Sequence, residues 1–236
     1  MPSIRSVHLA LWAAYALTVL VHLGALLAGA TPLQHLTQPL FAPLLMAILL
    51  SAAPRRTRTT TLLMAGLLCA WGADSLGQLL PGHAHLLTVA GFLGMLVCYC
   101  AALAPRWARS RDPMRIALAI PYGGVVIGLF VACADGPGPL LPMVAVYAIA
   151  LAAMAFLAAG GNGLTWTGGT LFLVSSSLLA MDWFLPGASI TFSTELVMLT
   201  YTVGQALLIA GMIQAMPQRR WTVRAPGGAA LVIVEP

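Results

Sequence analysis

Long runs of apolar residues follow one another along this chain, parted by short breaks in which proline, glycine and arginine gather. A helix that crosses the hydrocarbon core of a bilayer needs about 20 mostly apolar residues. The pattern predicts eight such helices, over 8–29, 35–53, 61–80, 86–104, 114–133, 139–159, 164–184 and 194–216. The breaks carry turn or charge signals, among them Thr31-Pro32, Pro54-Arg55-Arg56, Pro81-Gly82, Pro105-Arg106, Gly136-Pro137-Gly138, Gly160-Gly161-Asn162-Gly163 and Pro186-Gly187. The first break is the least marked, since Thr31 to Gln38 is only mildly polar. The predicted fold is an all-α integral membrane bundle over residues 1–216, followed by a polar, loosely ordered tail over 217–236.

Composition supports this. Hydrophobic residues make up 60% of the 236, charged residues only 7%, and there is no lysine. A soluble domain carries about 25% charged residues, so most of this surface must face something other than water. Basic residues stay on the cytoplasmic side of a membrane, which gives an independent test of the count. Arg5 precedes the first span; Arg55, Arg56 and Arg58 lie between the second and third. Arg106, Arg109, Arg111 and Arg115 lie between the fourth and fifth or just inside them, and Arg219, Arg220 and Arg224 follow the eighth. Eight spans with both termini cytoplasmic put all 11 on one side. Seven or nine would scatter them, unless the first or last span were the one miscounted. The expected location is the cell membrane. Ala28-Gly29-Ala30 offers a rival reading as a signal-peptide cleavage site, but the apolar run before it exceeds the roughly 7–15 residues of such segments.

Other chemistries find little support. The net charge of +5 does not come with basic and aromatic residues interleaved, so nucleic acid is not an expected partner. Cys69, Cys98, Cys100 and Cys133 sit inside apolar runs and read as small packing residues. His22 stands alone at mid-span, and His83 and His85 fall in a short loop, so no metal or cofactor is expected. One internal echo stands out. Ala73-Asp74-Ser75-Leu76 and Ser175-Ser176-Ser177-Leu178 are 102 positions apart, as are Tyr99 and Tyr201. A parallel duplication would leave this offset, and so would chance recurrence of small residues and serines. Under the duplication, Ser176 is the counterpart of Asp74.

Of the six acidic residues only Asp74 lies well inside a span. An ionised carboxylate at the centre of a membrane helix costs about 2.5–3.5 kcal/mol on insertion scales, so such a residue faces the bundle interior and marks a candidate site. Tyr147, Ser175, Ser176, Tyr201 and Gln205 fall at similar depths, and Gln38 enters the second span from the same side. Tyr201 and Gln205 share a helix face. Each alone has a plain structural reading, since tyrosines belong at interfaces and serines bond helices together. Together they predict a polar pocket opening toward the outer leaflet. Asp182, seven positions after Ser175, could reach its rim but reads first as a solvated loop-edge carboxylate.

These residues give the chain its resemblance to the YhhN-like lysoplasmalogenases, a family of eight-helix membrane proteins. The resemblance runs from Thr37 to about Met212. It is carried by Thr37-Gln38-Pro39-Leu40, Ala73-Asp74-Ser75-Leu76, Phe92 with Tyr99, Val146-Tyr147-Ala148, Phe172-Leu173-Val174-Ser175, Leu178-Leu179-Ala180, and Tyr201 with Gln205. It implies hydrolysis of the vinyl ether bond of lysoplasmalogens to a fatty aldehyde and a glycerophospho-headgroup. That chemistry needs a general acid that holds its proton near neutral pH, and apolar sites are where carboxyls do so. The resemblance therefore assigns catalysis to Asp74, and substrate or water binding to Gln38, Tyr99, Tyr147, Ser175, Ser176, Tyr201 and Gln205. The partner it implies is a membrane lipid or lysolipid. The chain departs from the family pattern at four positions: Gln38 replaces a lysine, Ala73 a glycine, Leu96 a histidine and Ser176 a second aspartate. Two other functions stay open. One is a non-catalytic lipid-handling protein that keeps the pocket. The other is a small proton-coupled transporter, which the absence of a span broken near its middle disfavours.

Overall fold

The computed structural model describes residues 4–52, 57–107, 112–216, 220–224 and 230–234. Arg55, Arg56, Arg109, Arg111 and Arg219 lie outside them. Eight helices are long and apolar enough to cross a bilayer: Arg5–Leu27, Thr31–Ala52, Arg58–Leu79, Ala84–Trp107, Pro113–Ala132, Gly138–Ala159, Gly163–Phe184 and Ser193–Gln214. They are numbered here as spans 1 to 8. The physical reason is that lipid offers no partner for backbone N–H and C=O groups, so each segment must satisfy its own by coiling.

Turn chemistry sets the ends. Span 1 closes in a Schellman motif: Gly29 takes φ +64°, its N–H reaches the Leu26 carbonyl at 3.0 Å, and the Ala30 N–H reaches that of Ala25 at 2.9 Å. The Ala28-Gly29-Ala30 stretch is therefore a helix stop. The chain re-enters helix at once at Thr31, with Pro32 in the first turn, so span 2 begins four residues before its expected start and the mildly polar first loop is helical. Three spans start on side-chain caps. Thr57 accepts from the Thr60 N–H, Asp112 from those of Met114 and Arg115, and Asn162 forms a capping box with Thr165.

Two spans are interrupted, which corrects the expectation of unbroken helices. In span 2 the α-helix Thr31–Thr37 gives way to a 3-10 turn, Gln38–Leu40, before resuming at Phe41. Pro39 has no N–H to give the preceding turn, which tightens locally. In span 5 the helix stops at Ala119 and restarts at Pro121. Ile120 at the join keeps α-helical dihedrals (φ −54°, ψ −44°), and the ladder breaks because Pro121 has no N–H to give the Ala117 carbonyl.

Successive spans alternate in direction, so Arg5, Arg58, Arg106 and Arg115 stand at one end of the bundle, the arginine face; the other end is the far face. Spans 1, 2, 3, 4, 6, 7 and 8 pack in a ring, with span 5 outside it against span 6. Spans 3 with 4 and 7 with 8 pack closest. Glycine permits this. A Cβ on Gly91 would lie 2.8 Å from the Ala73 Cβ, and one on Gly168 would lie 2.6 Å from the Leu208 nitrogen and 2.8 Å from the Gly204 oxygen. The core is Phe41, Leu45, Ile48, Leu67, Met95, Leu96, Tyr99, Met154, Phe172 and Ile209, while leucines such as Leu9, Leu17 and Leu20 of span 1 point out. In the tail, expected to be loosely ordered, Arg220–Arg224 (β1) and Ala230–Val234 (β2) pair antiparallel, with Thr222 opposite Val232.

Candidate functional site

Asp74 stands five residues inside the Leu79 end of span 3, about 7–8 Å below it at 1.5 Å per residue. It is 4% exposed. Both of its carboxyl oxygens are held. The Tyr201 hydroxyl of span 8 donates to Oδ2 at 2.7 Å, and the Gln38 Nε2 of span 2 donates to Oδ1 at 3.2 Å. Gln38 is itself oriented. Gln78, one turn beyond Asp74 on the same face of span 3, donates from Nε2 to the Gln38 Oε1 at 2.9 Å. With its oxygen engaged there, the Gln38 amide must turn its N–H toward Asp74. Three spans thus supply a continuous chain, Gln78–Gln38–Asp74–Tyr201.

The break in span 2 places Gln38. The preceding residue, Thr37, is buried, and its hydroxyl donates to the Leu33 carbonyl at 2.7 Å. That leaves the Thr37 oxygen to accept from the His22 Nδ1, also at 2.7 Å. His22 is 1% exposed and meets Phe41 edge-on at 5.1 Å, so spans 1 and 2 are locked together on either side of the 3-10 turn. On the opposite side of Asp74, the Tyr201 ring packs edge-to-face with Phe92 at 5.4 Å and Phe172 at 6.0 Å. Such aromatic contacts fix a ring beyond the effect of burial alone.

The remaining expected residues form separate pairs. The Tyr99 hydroxyl donates to the Gln205 Oε1 at 2.9 Å, and the Gln205 Nε2 faces the Met95 sulfur at 2.8 Å. Tyr99 and Gln205 are 1% and 2% exposed. Tyr147 of span 6 and Ser176 of span 7 share a hydrogen bond of 3.0 Å. Ser175 instead donates to the Val197 carbonyl at 2.9 Å, tying span 7 to span 8. Tyr99, Ser175 and Gln205 are buried in these pairings, whereas Gln38, Gln78, Tyr147 and Ser176 are only partly buried. Asp182 is exposed, as expected of a loop-edge carboxylate. His85 stacks on Trp183 at 4.2 Å. Among the described residues no three metal-binding side chains gather, and the four cysteines are free thiols.

Sequence reasoning missed Gln78, although its signal was there: it is the polar residue four positions after the buried aspartate. It also passed over the His22–Thr37 pair, because a lone mid-span histidine was weighed only as a metal or cofactor ligand.

Carboxyl, amide and phenol converge from three spans just inside the far face, an arrangement that can exchange a proton with a group brought to it. Leu96 is fully buried in the apolar core, and Ser176 meets Tyr147, so neither supplies a further proton-transfer group. No curated protein and no solved structure matches the chain. The family model of the YhhN family matches residues 33–212, a stretch that contains every residue of the Asp74 cluster, and the chain belongs to the YhhN family.

Proposed function

We propose that this protein is a membrane-embedded hydrolase of lysolipid vinyl ethers, with Asp74 as its acid. The observation that carries the reading is the buried Asp74 carboxyl with both oxygens held from other spans. Its depth is that of the ether bond of a lysolipid whose headgroup lies at the far face and whose tail runs into the bilayer. Protonation of the enol ether carbon by Asp74 gives an oxocarbenium ion, which the resulting carboxylate stabilises. Water then adds, and the hemiacetal breaks down to a fatty aldehyde and the glycerophospho alcohol. The Tyr201 hydroxyl, both donor and acceptor, can hold the proton's path as the carboxyl changes state. Gln38, fixed by Gln78, keeps the second oxygen in place throughout.

The test is aldehyde release from a lysoplasmalogen by purified protein in detergent. Wild type is expected to release aldehyde, and the nearly isosteric Asp74→Asn variant to lose it while keeping its helicity. Release that persists in Asp74→Asn would sink the assignment. A second reading draws on Ser176, which bonds to Tyr147 where a second carboxylate would stand. On that reading the protein binds lysolipid without cleaving it, and the same assay would show retained lipid with no aldehyde in wild type.

A further inference from the structure

We propose that His22 is a hydroxyl-accepting subsite beside Asp74, and that it favours lipids with a free glycerol hydroxyl over those that lack one. This role rests on the reading of Asp74 as a lysolipid site, not on turnover there. It starts from an orphaned atom. His22 is 1% exposed, and its Nε2 is buried without a hydrogen-bond partner among the described residues. Such atoms are rare in native proteins. The hydroxyls of Ser75, Ser177 and Ser193 share the condition, but a hydroxyl can swing onto a carbonyl of the preceding turn. A ring nitrogen held in place cannot.

The surroundings fix what Nε2 can bind. The Thr37 hydroxyl gives its one hydrogen to the Leu33 carbonyl at 2.7 Å, so the His22 Nδ1, 2.7 Å away, is the donor to Thr37. A neutral ring with its proton on Nδ1 has a bare lone pair on Nε2. Turning the ring over would break the bond to Thr37, and Phe41 stands edge-on against it at 5.1 Å. Nε2 is therefore an acceptor whose donor must come from outside the chain. A charged amine would lose its hydration in this apolar interior, which leaves an uncharged hydroxyl, of a lipid or of water.

Position favours the lipid. His22 stands five residues inside the Leu27 end of span 1, as Asp74 stands five inside the Leu79 end of span 3. Both therefore lie about 7–8 Å below the far face. Contacts join them on two sides. Thr37 is followed directly by Gln38, which bonds to Asp74. Phe41 meets Tyr15 at 6.2 Å, and the Tyr15 hydroxyl donates at 2.8 Å to the carbonyl of Thr202, the residue after Tyr201. Span 1 thus builds one wall of the cluster, although it lies before the stretch matched by the family model. A lysolipid with its ether bond at Asp74 carries its free hydroxyl on the next glycerol carbon, at that same level. An acyl ester in its place offers no proton, and Nε2 would stay unsatisfied.

The test is binding of a saturated-ether lysolipid, which the vinyl ether reaction cannot cleave, and of its 2-deoxy counterpart to the full-length protein in detergent. The wild type is expected to bind the hydroxyl form about tenfold more tightly, the value of one hydrogen bond to a buried acceptor. His22→Phe should bring the ratio close to one. Thr37→Val, which frees the ring tautomer, should lower it, and Thr37→Ser, which keeps the hydroxyl, should hold it. Nitrogen-15 NMR, with the His22 signal assigned by its absence from His22→Phe, separates lipid from water. The Nε2 resonance should move when the hydroxyl form binds and stay when the deoxy form binds. A resonance that neither lipid moves would assign the nitrogen to water and overturn the proposal. So would a wild-type ratio of one, or a ratio unchanged by His22→Phe. Binding of neither lipid would overturn the lysolipid reading of Asp74 and this subsite with it.

Discussion

The contact between spans 7 and 8 is the sharpest place to test the packing. In Gly168→Ala the new methyl would sit 2.6 Å from the Leu208 nitrogen and 2.8 Å from the Gly204 oxygen. Both are backbone atoms, so no side chain can swing aside. Relief must come from parting the helices, and the contact is reciprocal: a Cβ at Gly204 would lie 3.0 Å from the Gly168 oxygen. Overpacking typically costs 1–3 kcal/mol, and a rigid backbone on the other side puts this case near the top, at about 3 kcal/mol. The control is Gly124→Ala in the peripheral span 5, where nothing lies within 4 Å of the added Cβ. There the only effect is the higher helix propensity of alanine, a gain of about 0.5–1 kcal/mol. Unfolding in mixed micelles by titrated SDS, followed by tryptophan fluorescence, gives both values on one scale. Equal midpoints for the two variants would refute the close approach of spans 7 and 8.

Tyr201→Phe removes the donor to Asp74 Oδ2 and should cost about 1–3 kcal/mol of stability in the same titration. Most of that loss should vanish in the Asp74→Leu background, and a cycle that shows no coupling would break the pair. Gln78→Leu leaves Gln38 free to rotate, so it should lower aldehyde release several-fold, while Gln78→Glu, which can still accept but not donate to Oε1, should do no better. Ser176→Asp buries a carboxylate beside Tyr147 without a countercharge and should destabilise the bundle; adding Gln38→Lys should recover stability only if the two sites share one electrostatic environment, as a double-mutant cycle would report. Both termini are proposed to be cytoplasmic. Cysteines placed singly at Ser3 and Thr222 in a cysteine-free background should resist a membrane-impermeant maleimide in intact cells, and labelling of either would reverse that end.

The eight spans were legible because hydropathy is a property of each residue alone, and a run of about 20 needs no knowledge of partners. The Schellman turn was less so: Ala28-Gly29-Ala30 fits a helix stop and a cleavage site equally well until the backbone shows which hydrogen bonds form. Both interruptions had a visible cause in Pro39 and Pro121, yet a proline within an apolar run can also kink a helix without breaking its register. At the site, Asp74, Gln38 and Tyr201 announced themselves as polar groups where lipid should be. What the sequence did not contain was the pairing. Tyr99, Tyr147, Ser175, Ser176 and Gln205 lie at comparable depth, but depth is one coordinate, and helix rotation decides the other two. Rotation sends Tyr99 to Gln205, Tyr147 to Ser176 and Ser175 to the Val197 carbonyl, leaving Asp74 with a smaller company than depth alone suggested.

The two glutamines also have an electrical meaning. A carboxamide passes on the direction of a hydrogen bond but carries no ionisable proton of its own, so the Gln78–Gln38 arm is an insulator. Asp74 is wired for proton exchange on one terminal only, where the Tyr201 phenol meets Oδ2. In the proposed reaction, any proton that Asp74 spends must be returned from that side or by the substrate, and the current through this carboxyl runs in a single lane.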